Sequence, residues 1–95
     1  MHSHQGNAAF RKGRYDDAVL LYTEACQLDP SEYTYPLNRC MSYLKLGKLR
    51  EAERDATKSL QLLPAGNPKA LFRRGLARKG LGKVDLARQG WHSAL

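Results

Sequence analysis

Apolar residues return every three or four positions along most of this chain. Val19, Tyr22 and Cys26 mark one such stretch, Met41 and Leu44 another, the period of a helix that buries one face. The pattern predicts six helices, over residues 3–12, 15–28, 32–46, 49–62, 68–80 and 84–95. Gly13, Gly47 and Gly82 are placed to turn the chain within successive helix pairs, while Pro30, Pro64 and Pro68 punctuate the joins between pairs. Phe10, Tyr15, Tyr22, Tyr43 and Phe72 fall on this grid and are expected in the core.

The helices repeat as pairs. Gly13 and Gly47 lie 34 apart, as do Ala18 and Ala52, Leu28 and Leu62, and Pro30 and Pro64. Gly82, Val84 and Ala87 follow Gly47, Leu49 and Ala52 by 35, the extra residue fitting the loop from Pro64 to Pro68. Small residues recur where helices must approach closely: Ala8, Ser42 and Ala77 in the first helices, Ala18, Ala52 and Ala87 in the second. One domain follows, built from repeats at about 1–30, 31–64 and 65–95.

The stretch from Gly6-Asn7-Ala8-Ala9-Phe10 through Gly13-Arg14-Tyr15 to Ala18, closed by Leu28-Asp29-Pro30, resembles a tetratricopeptide repeat. The likeness extends over essentially the whole chain. It implies an all-α fold of three tandem helix-turn-helix hairpins in a right-handed superhelical solenoid. The third repeat lacks a clear C-terminal capping helix, so Trp91 and Leu95 are expected either exposed or covered by further residues.

In such a stack the first helix of each pair lines a concave groove, with equivalent residues side by side. Applying the offset to His4 leads to Asn38 and then Arg73, a slot that is polar or basic in every copy. Lys69 precedes Arg73 by four residues and shares its helical face; Ser3 stands in the same relation to Asn7. The expected groove therefore carries Asn7, Asn38, Lys69 and Arg73, with Ser3 or His4 at its edge. Two amides and two cations suit carboxylates, because Arg offers a planar donor fork, Lys a point charge and Asn an NH₂ group.

This set resembles the dicarboxylate clamp of co-chaperone tetratricopeptide domains. The resemblance implies a peptide partner: the C-terminal Glu-Glu-Val-Asp of cytosolic heat-shock chaperones of the seventy- or ninety-kilodalton class. Asn7, Asn38, Lys69 and Arg73 match four clamp positions, while Ser3 stands where the clamp usually has Lys or Arg. The segments from Asn38 to Lys45 and from Arg73 to Arg78 are similar to co-chaperones associated with RNA polymerase II assembly.

Charge sharpens the choice of partner. The net charge is +7 over 95 residues, which favours an anionic ligand. RNA is the rival, since Arg73, Arg74, Arg78, Lys79 and Lys83 cluster in the third repeat, but no aromatic platform lies among them. A scaffold gripping another protein's helix is the other alternative. The segment from Arg50 to Lys58 mixes both signs, as a solvated face does. No Gly-rich phosphate loop or nucleophile–base set points to an enzyme, and none is expected to need a cofactor. His2 and His4 lack companions for a metal site. Cys26 and Cys40 sit in apolar patterns and are expected as buried thiols of a reduced, cytoplasmic protein that also enters the nucleus. The start, Met1 to Gln5, has no apolar leader core, and no apolar run reaches the roughly 18 residues of a membrane span.

Overall fold

A computed structural model describes the backbone of residues 2–88 and the side chains of residues 4–85. Among these residues five helices follow one another: α1 (His2–Arg11), α2 (Tyr15–Leu28), α3 (Thr34–Leu46), α4 (Leu49–Leu62) and α5 (Pro68–Arg88). There is no strand among the described residues. Each helix packs on the next, and α3 also touches α1 and α5. The result is the expected helical-repeat solenoid, with the first helices of successive pairs side by side.

The predicted glycine turns form for a stated reason. Gly13 and Gly47 have φ of +77° and +74°, a left-handed conformation that any Cβ would strain. That reversal lets the Arg14 N–H reach the Ala9 carbonyl and the Lys48 N–H reach Tyr43, each at 2.9 Å. Two otherwise orphaned helix-end carbonyls are thereby satisfied. The next helix then returns antiparallel against the one it left.

At Gly82 the expected turn is absent, and this corrects the reading of separate helices at 68–80 and 84–95. α5 runs on to Arg88, and Gly82 does not adopt positive φ. The reason lies in its packing against α4. A Cβ on Gly80 would come within 2.7 Å of Leu49, so the backbone itself rests on that side chain. Asp85 also faces Arg50 at 3.9 Å. Leu, Ala, Arg and Lys carry the helix through glycines that each cost about 1 kcal/mol. Trp91 and Leu95 lie outside the described residues.

Among the described residues two apolar clusters form the interior. Ala9, Ala18 and Tyr22 pack with Phe10 and Leu21 under the first hairpin. Cys40, Ala52, Ala56 and Ala77 pack with Tyr43 and Leu44 across α3, α4 and α5. Ser42, Ala52 and Ala77 are fully buried, at the close-approach positions that the repeat marks. Phe72 departs from expectation: it is 68% exposed, because no described element covers that face of α5. Of the thiols, Cys40 is buried and Cys26 only half-buried; both are free.

Candidate functional site

Two adjoining cavities follow the inner faces of α1, α3 and α5. The first, about 210 Å³, is lined by Asn7 and Arg11 from α1, Asn38 from α3 and Arg73 from α5, with Tyr22 and Met41 among its walls. The second, about 320 Å³, also takes Asn38 and Arg73 and adds Lys69. The four residues singled out from the repeat offset thus line one continuous trough. His4 is exposed and lines neither cavity. The Ser3 side chain lies outside the described residues.

Asn7 is held from below. The Tyr22 hydroxyl donates to its Oδ1, and Tyr22 itself is only 2% exposed. Gly6 makes this possible, because a Cβ there would come within 2.6 Å of the Tyr22 ring. Burial raises the phenol pKa, with Arg11 and then Arg73 pulling it back down, so the hydroxyl keeps its proton at neutral pH. With its oxygen occupied, the Asn7 amide retains both N–H donors for the trough.

α5 is set in place by its first residues. Asn67 is 4% exposed; its Nδ2 donates to Ser59 Oγ at 3.1 Å, and its Oδ1 accepts from the Ala70 N–H at 3.4 Å. It caps the helix, and Pro68 follows at the position where a missing N–H is harmless. Ser59 Oγ in turn donates to the Tyr33 carbonyl at 3.0 Å, which ties α5 to α3 and α4. Lys69, the second residue of α5, is exposed. Arg73 spends Nη1 on the Leu37 carbonyl at 3.0 Å, fixing a half-buried guanidinium beside Asn38 that makes no other side-chain hydrogen bond among the described residues.

Arg39 has the opposite role. It grips Asp55 through Nε and Nη2, both at 2.7 Å, and donates from Nη1 to Thr23 Oγ1 at 3.0 Å. The hydrogen bond to Asp55 raises the Arg39 pKa and holds it charged; burial pushes the Asp55 carboxyl up against that pull. The pair braces α3 against α4 and α2, on the side of α3 away from the neighbouring Asn38.

Charge distribution separates the trough from the rest of the surface. Its lining contains Arg11, Lys69 and Arg73 and no carboxylate. A larger outer cleft of about 740 Å³ gathers five cations, but Glu53 and Asp55 stand among them. There Arg78 Nε pairs with Glu53 at 2.6 Å. Sequence reasoning missed Arg11 and Tyr22. Arg11 follows Asn7 by four residues, so the spacing argument that paired Lys69 with Arg73 reaches it. Tyr22 meets Asn7 only through the packing of α2 on α1, and no local spacing signals that.

Antiparallel helix pairs at a 34-residue period, stacked to form a polar trough, define a repeat protein built for binding. The chain belongs to the tetratricopeptide-repeat family, and residues 2–32 match the family's repeat. It is 40% identical over 91 residues to RNA polymerase II-associated protein 3 of Mus musculus, covering 96% of this chain. It spans only 14% of that relative's length. The second tetratricopeptide domain of Spaghetti (RPAP3), solved bound to the HSP90 peptide SRMEEVD, superposes with a TM-score of 0.83. The identity is 38%, over 96% of this chain and 83% of that one. The second such domain of human RPAP3, in complex with the HSP70 peptide SGPTIEEVD, gives the same TM-score at 38% identity, over 97% of this chain and 76% of that one.

Proposed function

We propose that this chain is a co-chaperone module that binds the acidic C-terminal Glu-Glu-Val-Asp peptide of cytosolic heat-shock chaperones. It acts by binding alone, without a catalytic step, in the cytoplasm or nucleus where those chaperones work. The carrying observation is the carboxylate-free trough in which Asn7, Asn38, Lys69 and Arg73 stand together. The solved complexes of the RPAP3 relatives with peptides of this ending support the same reading.

In this mechanism the terminal carboxylate and the adjacent Asp side chain enter the trough. Asn7 and Asn38 donate from their amides, Arg73 from its free guanidinium edge, and Lys69 supplies a mobile ammonium. The peptide Val meets apolar walls such as Met41. Each charged hydrogen bond must offset desolvation, so the affinity is modest, about micromolar or -8 kcal/mol.

Isothermal titration with Met-Glu-Glu-Val-Asp, as free acid and as C-terminal amide, tests the reading. Amidation removes the charge on which the clamp depends. Lys69→Ala and Arg73→Ala are each expected to weaken binding at least about tenfold, the loss of one charge-assisted bond. Undiminished binding of the amide, or by both variants, would sink the proposal.

A further inference from the structure

The first helix carries a cation in the trough that the four clamp positions leave unused. Arg11 ends α1, is exposed, and lines the same 210 Å³ cavity as Arg73. It makes no ion pair and no side-chain hydrogen bond among the described residues. Both Arg11 and Arg73 act electrostatically on the Tyr22 phenol, and both line one cavity with Tyr22 and the Asn7 it holds.

Two guanidinium groups sharing a small cavity repel each other, and a bound anion relieves that repulsion. Three other cavities among the described residues carry their own acids: Glu53 and Asp55, Asp17 and Glu24, and Glu51 and Asp55. Lys12 shows the contrast within α1's own end. It has the charge of Arg11 but turns the other way, into the cavity that holds Asp17 and Glu24.

We propose that Arg11 is a specificity-determining contact of the groove, binding an acidic side chain of the peptide upstream of its terminal Asp. The proposal rests on the clamp reading. Asn7, Asn38, Lys69 and Arg73 engage the two carboxylates of the terminal residue. Arg11, one turn beyond Asn7 on the same face, is then free for the Glu residues that precede them. It supplies on one side of Asn7 the positive charge that Ser3 lacks on the other.

The test is titration of the 95-residue chain and its Arg11→Gln, Lys12→Gln, Lys69→Ala and Arg73→Ala variants. Two peptides are used, Met-Glu-Glu-Val-Asp and Met-Gln-Gln-Val-Asp, over a range of salt. Arg11→Gln is expected to weaken the Glu-Glu peptide about fivefold and to flatten its salt dependence, as loss of an exposed steering charge does. Against the Gln-Gln peptide the same substitution should change little, and Lys12→Gln should change neither. Unchanged melting temperatures would assign the loss to the groove. Equal losses from Arg11→Gln and Lys12→Gln would reduce the effect to net charge and overturn the proposal. So would an equal loss with both peptides, or none in Arg11→Gln while Lys69→Ala or Arg73→Ala still weakens binding. If Lys69→Ala and Arg73→Ala are both silent as well, the clamp itself fails, and Arg11's role falls with it.

Discussion

Gly6 and Gly75 occupy the same slot of the repeat, with Cys40 between them, yet their surroundings differ completely. Gly6 lies under the Tyr22 ring, so close that a Cβ would fall within 2.6 Å of it, whereas nothing lies within 4 Å of a Cβ on Gly75. Among the described residues the α5 face around Gly75 is bare: Leu71 is 54% exposed, Phe72 68% and Leu76 42%. Leu37, the counterpart of Phe72 one repeat earlier, is 6% exposed. A slot in a repeat is therefore not an environment. A slot is core where a neighbouring helix covers it and surface where no described element does, because burial belongs to pairs of elements rather than to positions.

Truncating the two aromatics gives the widest separation. Tyr22→Ala empties a packed site and is expected to destabilise by about 3–5 kcal/mol. Phe72→Ala, on an exposed face, should stay within about 0.5 kcal/mol. Urea unfolding of both variants measures the difference, and comparable losses would show that α5 is covered in solution.

Cys40 provides the middle term. Burial pushes its thiol from 9.0 up to about 11, so the folded chain holds that proton where the unfolded chain has lost it. Between those pH values the unfolded state binds fewer protons, and rising pH favours unfolding. The contribution lost is at most about 2–3 kcal/mol. Melting temperatures from pH 9 to 11 should fall more steeply in the wild type than in Cys40→Ala. Gly75→Cys offers the counterpart: its thiol should react rapidly with a disulfide reagent while Cys40 stays protected.

Adding a single methyl at each end of the series is a finer probe. Gly6→Ala drives a Cβ into a ring that cannot swing away, and the strain outweighs the gain in helix propensity. A net loss of about 1–2 kcal/mol is expected. Gly75→Ala meets open space and should stabilise by up to about 1 kcal/mol. Equal shifts in the two thermal melts would break the comparison.

The smallest change to the Tyr22 site is Tyr22→Phe, which keeps the ring over Gly6 and removes only the hydroxyl that holds Asn7. Stability should fall by about 1 kcal/mol. Peptide affinity should fall as well, and no further in Tyr22→Phe/Asn7→Ala than in Asn7→Ala alone. A cycle of titrations reads this directly.

Much of the molecule was legible along the chain. The period, the turns at Gly13 and Gly47, and the groove positions Asn7, Asn38, Lys69 and Arg73 follow from signals written along the chain: helical spacing, left-handed glycines and an offset of 34 and then 35 residues. These are short-range properties, written within a few residues or copied from one repeat to the next. Other features are contacts between elements and had no such signature. Tyr22 reaches Asn7 from 15 residues away, Arg39 reaches Asp55 from 16, and Arg73 finds the Leu37 carbonyl from 36. The run of α5 through Gly82 is of this kind too, decided by Leu49 and Arg50 of the preceding helix. A glycine permits a turn, but only the packing on either side determines whether the chain takes it.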